Sequence, residues 1–149
     1  MYIRAVVHLY KNKTYAQVYS KTAVGMLSLD GDVLSADEND LKSIGDSLLE
    51  TFKSYRDGIP HHVEWRDGPE KDKMLEATKC KTWNELMKKS KRIGAVIQKD
   101  GVIILTPKFF GGTSGPNKGY HDLKNKEIIS SSESEELGRN VMKALELCE

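Results

Sequence analysis

Residues 82–106 read TWNELMKKSKRIGAVIQKDGVIILT, and this stretch decides the fold. Thr82 is a good N-cap type and Glu85 stands three residues on. At that spacing each side chain can satisfy an orphan backbone N–H of the other. Trp83, Leu86, Met87 and Ser90 fall on one face at helical spacing, while Lys88, Lys89, Lys91 and Arg92 turn away from it. The β-branched run from Ile93 to Ile97 predicts a strand. Lys99-Asp100-Gly101 then reverses the chain, because Asp-Gly supplies the positive φ angles of a tight hairpin. Val102 to Leu105 returns as a nearly continuous apolar strand, the pattern of a strand covered on both faces. A capped helix feeding a buried hairpin is the best-specified part of the chain, and nothing in it is a catalytic signature.

Upstream, Tyr2 to Tyr10 reads as a strand, Lys11-Asn12-Lys13 as its turn and Thr14 to Tyr19 as its partner. Residues 25–34 are ambiguous, with Asp30-Gly31-Asp32 a turn signal among apolar residues. Leu41, Ile44, Leu48, Leu49 and Phe52 sit at helical spacing and predict a helix over about 39–54. Gly58, Pro60, Gly68 and Pro69 mark residues 56–70 as a connecting loop, and 70–79 as a short basic helix. Downstream, Pro107 ends the strand, and residues 111–119, rich in glycine, form a mobile loop. A short strand follows over 127–129. Ser132 with Glu135 makes a second capping box, opening a helix over 134–147 whose apolar face is Leu137, Val141, Leu145 and Cys148. Leu41–Gly45 and Ser134–Gly138 echo each other, each with a hydrophobic–glycine pair just inside a helix. Glycine costs up to about 1 kcal/mol against alanine there, so both glycines are expected to let a helix pack closely on the sheet. The expected fold class is α+β: a single domain, 1–149, with a largely antiparallel central β-sheet packed by three to four helices. Leu48, Phe52, Trp83, Leu86, Ile97, Ile103, Leu137, Val141 and Leu145 are its expected core.

Composition narrows the function. A chain of 149 residues with 38% hydrophobic and 30% charged residues is a soluble globular domain, and a formal charge of +1 gives no overall drive toward nucleic acid or membrane. The start of the chain has none of the marks of a signal peptide, and no apolar run approaches the roughly 20 residues of a membrane span. Two cysteines outside any metal or redox motif fit a cytoplasmic protein. Charge is uneven, however, with acidic stretches around Asp37 and Glu135 and a basic stretch over 71–92.

No catalytic constellation emerges. His61, His62 and Glu64 could ligate a metal, but no second cluster at zinc-like spacing accompanies them. His121 and Asp122 are mere neighbours, and no Gly-x-Ser-x-Gly elbow supplies a nucleophile. The glycine loop fails as a phosphate loop, since Asn117 precedes Lys118 and Pro116 removes an N–H. No cofactor site is expected. The alternative to a binding protein is a small metal-dependent nucleic-acid-processing enzyme built on His61, His62 and Glu64.

The order S-x-D-x-x-D-L-x-x-I-G-x-x-L-L-x-x-F, then TWNELMKKSK, DGVIILTP and S-S-x-S-E-E-L-G-R-x-V-x-x-A-L-E-L-C covers essentially the whole chain. It resembles the contact-dependent growth inhibition (CDI) immunity proteins, the CdiI family. Its landmarks are Asp100-Gly101-Val102-Ile103, Pro107 and Glu136-Leu137-Gly138. The resemblance implies a cytoplasmic, non-catalytic protein that binds and neutralises the C-terminal toxin domain, often a nuclease, of its cognate CdiA. The 111–119 loop and the His61-His62 segment depart from the pattern, so the particular toxin does not carry over. Residues outside any apolar stripe then become candidates for toxin contact. They are Arg56, His61, His62, Trp65 and Arg66 in one loop, and Phe109, Phe110, Tyr120 and His121 in another, with Asp37 and Glu135 as steering charges.

Overall fold

The computed structural model describes residues 2–60 and 72–149. The chain runs β1 (Ile3–Tyr10), β2 (Lys13–Thr22), β3 (Leu27–Asp37), α1 (Leu41–Lys53), β4 (Asp57–Ile59), α2 (Lys73–Thr78), α3 (Trp83–Lys89), β5 (Lys91–Ile97) and β6 (Ile103–Phe110). It continues through β7 (Tyr120–Asp122), a 3-10 turn (Lys124–Lys126), β8 (Ile128–Ser130) and α4 (Ser134–Glu146). The strands form one sheet in the order β3-β2-β1-β5-β6-β7, with β8 also on β6 and β4 on β2. Apart from β4 on β2, the pairings are antiparallel, so the fold is the expected α+β single domain.

Local chemistry explains most of this. Lys11 and Asn12 both take positive φ, 48° and 68°, as a two-residue hairpin demands. Thr82 caps α3 by accepting the Glu85 N–H at 3.1 Å, while the Glu85 carboxylate takes the Lys81 N–H. Asp72 does two jobs. One oxygen caps α2 and the other accepts the Trp83 indole N–H at 2.7 Å, tying α2 to α3.

Several expectations are corrected. Asp30-Gly31-Asp32 is not a turn: Gly31, at φ +73°, sits in a stretch of β3 whose register against β2 slips between Ala16 and Val18, as a bulge does. The second cap is Glu133, not Ser132; its carboxylate accepts the N–H groups of Glu135 and Glu136. Pro107 does not end β6, which runs on to Phe110. Its carbonyl accepts the Leu123 N–H, and a strand residue aims N–H and C=O to the same side. The missing N–H therefore falls between β8, paired to 103–105, and β7, paired to 108–110, where no strand needs it.

Register divides the apolar residues between two faces. Ala5, Val7, Ile93, Ala95, Ile103 and Leu105 meet Ile44, Leu48 and Phe52 of α1 and Leu137, Val141 and Leu145 of α4. On the opposite face Val6 and Tyr10 meet Met74, Cys80 and Leu86. The expected single core is thus two, and Trp83 and Ile97 are only half-buried. Nor is β6 covered on both sides, because Ile103 and Leu105 are fully buried while Ile104 is half-buried.

The two glycines serve a helix pair rather than helix-on-sheet packing. A Cβ at Gly45 would lie 1.8 Å from the Ser134 carbonyl oxygen, and one at Gly138 would lie 1.8 Å from the Leu41 carbonyl oxygen. The first turns of α1 and α4 are in reciprocal backbone contact. Gly138→Ala should therefore destabilise the protein by about 1–3 kcal/mol or more, although alanine is the better helix former. Urea denaturation checks this, and a neutral or stabilising result would show that the helices can part cheaply. Phe52, 3% exposed, should cost about 3–5 kcal/mol on truncation to alanine in the same assay.

Candidate functional site

Beyond Pro107, β6 and β7 form a short arm with Lys108 opposite Asp122, Phe109 opposite His121 and Phe110 opposite Tyr120. Strand alternation puts the two aromatic pairs on opposite faces. Phe110 and Tyr120 have ring centroids 5.1 Å apart, and Phe109 and His121 6.0 Å apart. The 111–119 segment, expected to be mobile, is tied shut: Gly111 N–H donates to Gly119 O at 2.8 Å, and Gly119 N–H to Gly112 O at 2.9 Å. On the edge facing β5, Phe110 N–H donates to Glu149 O and Glu149 N–H to Lys108 O. Residue 149 thus occupies the place where β5 would continue the ladder. All four aromatic-arm candidates come together here.

At the root of the arm lies a residue that helical periodicity had turned outward. Arg92 is on β5 and half-buried. Its Nη2 donates to the Tyr19 hydroxyl at 2.6 Å, and its guanidinium carbon sits 4.7 Å from the centre of the Tyr120 ring. Opposite Arg92 on β1 is His8, wholly buried, whose Nδ1 shares a hydrogen bond with Ser90 Oγ at 3.2 Å. Burial, then the Arg92 charge, lowers the His8 pKa from 6.5 to about 3, so the ring is neutral. Burial likewise raises the Tyr120 phenol. Among the described residues His8 Nε2, Arg92 Nε and the Tyr120 hydroxyl are buried side-chain atoms without a hydrogen-bond partner. The sequence held no local signal for this cluster, because its members come together from β1, β2, β5 and β7.

The remaining candidates are dispersed. Arg56 binds Asp30 through two hydrogen bonds, of 2.9 and 2.6 Å, which holds the Asp30 carboxyl below its usual range. With Lys73 and Gln17 that pair lines a cleft of about 300 Å³, and the Ser20 hydroxyl donates to the same Asp30 carboxylate at 2.7 Å. His61, His62, Glu64, Trp65 and Arg66 lie outside the described residues. Among the described residues no three His, Cys, Asp or Glu side chains come together to hold a metal ion, and no helix is long and apolar enough to cross a membrane.

Asp37 and Glu135 belong to a broader acidic end that gathers where the first turns of α1 and α4 meet. There Asp40 accepts from Ser43 and Glu133 caps α4, while Asp46 accepts from Ser134 of the other helix. These hydrogen bonds lower the pKa of all three carboxyl groups: Ser43 acts on Asp40, Ser134 on Asp46, and the N–H groups of Glu136 and Glu135 on Glu133.

An α+β domain of this kind has known structural counterparts. No family model matches the chain, and no curated protein matches it. A solved protein of unknown function from Neisseria meningitidis shares the fold with a TM-score of 0.73 at 16% identity, covering 100% of this chain and 96% of the other. A chain of the CdiA-CT/CdiI toxin and immunity complex from Yersinia pseudotuberculosis does so with a TM-score of 0.72, again at 16% identity, covering 100% and 98%.

The buried neutral imidazole has a pH consequence. Unfolded, His8 titrates near its ordinary 6.5; folded, it binds a proton only near pH 3. Between those values the unfolded chain holds the extra proton, so stability falls as pH falls, by up to about 1.4 kcal/mol per pH unit. Urea melts at pH 7 and pH 5 should show a steeper loss for the wild type than for His8→Asn. Equal slopes would mean that His8 is reached by water or charged when folded.

Proposed function

We propose that this chain is the immunity partner of a CdiA C-terminal toxin domain, most simply a nuclease, which it binds in the cytoplasm and blocks without catalysis. The observation that carries the reading is the full-length fold likeness to a chain of a toxin and immunity complex, at a TM-score of 0.72. The sequence resemblance over the same length points the same way.

The arm is the contact element in this reading. Phe109, Phe110, Tyr120 and His121 offer large, stiff rings that lose little rotamer freedom on binding. Arg56, already matched by Asp30, adds less than its residue type suggests, whereas His61, His62, Trp65 and Arg66 remain candidates on composition alone. Asp37, Glu135 and their acidic neighbours act at range, attracting a basic toxin surface and setting on-rate.

Surface binding kinetics with the purified cognate toxin domain test the assignment. Phe110→Ala should raise the dissociation rate about tenfold or more. The double variant Asp37→Lys, Glu135→Lys should slow association at low salt and leave dissociation nearly unchanged. Dissociation unmoved by Phe110→Ala, in a variant that melts normally, would take the interface off the arm.

A further inference from the structure

The two faces of the sheet are unequally dressed. α1 and α4 cover one face from β1 to β6, whereas α2 and α3 pack against the other only over β1–β3. Among the described residues no helix is laid across β5, β6 and β8 on that second side. Register places Arg4, Val96, Ile104 and Ile129 side by side there, on β1, β5, β6 and β8. Arg4 is exposed, Val96 and Ile104 are half-buried, and Ile129 is 73% exposed. Lys108 and Arg92 stand further along the same face, toward the arm. Lys108 is held by Asp122 at 2.6 Å, but among the described residues neither Arg4 nor Arg92 has a carboxylate within 4.0 Å. A guanidinium held by a tyrosine hydroxyl and lying over a second tyrosine ring is positioned for an acceptor that the described residues do not supply.

We infer that this face, which no described helix covers and which centres on Arg92, docks an acidic, partly apolar segment of a protein partner, one carboxylate bonding to Arg92 and an apolar side chain lying over Val96, Ile104 and Ile129. This rests on the reading of the chain as a protein-binding module and names the chemistry of a surface continuous with the arm. Charge complementarity selects the occupant. Among the described residues the uncompensated charges on the face are cationic, and they border an apolar floor. Nucleic acid would demand a longer run of phosphate-binding cations than Arg4, Arg92 and an already paired Lys108. The acidic end of the molecule belongs to the helix layer on the other side of the sheet, so the charges form a dipole hidden by the formal +1.

The test needs no toxin. The full chain, isotope-labelled, is titrated with the peptide Ac-ELEVE-NH2 and separately with Ac-KLKVK-NH2. The acidic peptide should give saturable shifts at the amides of Arg4, Gly94, Val96 and Thr106 and at the Arg92 guanidinium, and the basic peptide should not. Arg92→Gln and Gly94→Glu should each weaken binding about tenfold or more. Gly94→Glu guards against misfolding: a Cβ there meets only the flexible Lys108 stem, at 3.5 Å, so its melting temperature should hold while a carboxylate is set between the face's cations. Four results would overturn the inference: no saturable shift, equal response to both peptides, displacement of the peptide by oligouridylate, or a dimer that Gly94→Glu dissolves. Toxin neutralisation separates the two readings. A Gly94→Glu variant that still protects, beside a wild type that ignores the acidic peptide, removes this surface and leaves the immunity assignment standing.

Discussion

Two helix beginnings are pressed together in this fold, and much else follows from that contact. The first turns of α1 and α4 touch backbone to backbone through Gly45 and Gly138, each against the other's carbonyl. A helix N-terminus carries partial positive charge and unpaired N–H groups, so bringing two of them together is unfavourable unless anions accompany them. Asp40, Asp46, Glu133, Glu135 and Glu136 are those anions, and Asp46 reaches across to Ser134 of the opposite helix. The acidic stretches that look separate in the sequence are one electrostatic answer to one packing decision. Leu48, Phe52, Val141 and Leu145 are buried between this helix pair and the sheet.

What the sequence made legible was local. Caps, the Asp100-Gly101 turn and the apolar stripes of α1 and α4 each need only a few neighbouring residues to declare themselves, and they gave the elements and the fold class. What escaped depended on partners far along the chain. The glycines were visible as a pair, but nothing local says that they face each other rather than the sheet. Pro107 looked like a stop because its missing N–H is harmful only where a strand needs it, and pairing alone shows that none does. Asp30-Gly31-Asp32 has the chemistry of a turn, and a bulge uses the same chemistry.

The candidate site shows the same division. Arm aromatics stood out as rings outside any stripe, and the structure does collect them. Arg92 was hidden, since a lysine–arginine run after a helix reads as solvated surface. Its meaning comes from Tyr19, 73 residues away, and from Tyr120 on a third strand. His8 was equally silent: a histidine inside a strand-forming run carries no sign that its ring is sealed and uncharged.

β6 serves two different neighbours, β8 along its first residues and β7 along its last, with Pro107 between them. The proline makes the junction a natural seam. Ile103 and Leu105 are committed to the helix layer before the seam, while everything from Lys108 to Asp122 is fastened through its own ladder and through Glu149. Changes of length or residue in the 111–119 turn of the arm are therefore insulated from the interior. Such a chain can exchange one recognition surface for another over evolutionary time while its framework stays put, which agrees with a framework recognisable at 16% identity.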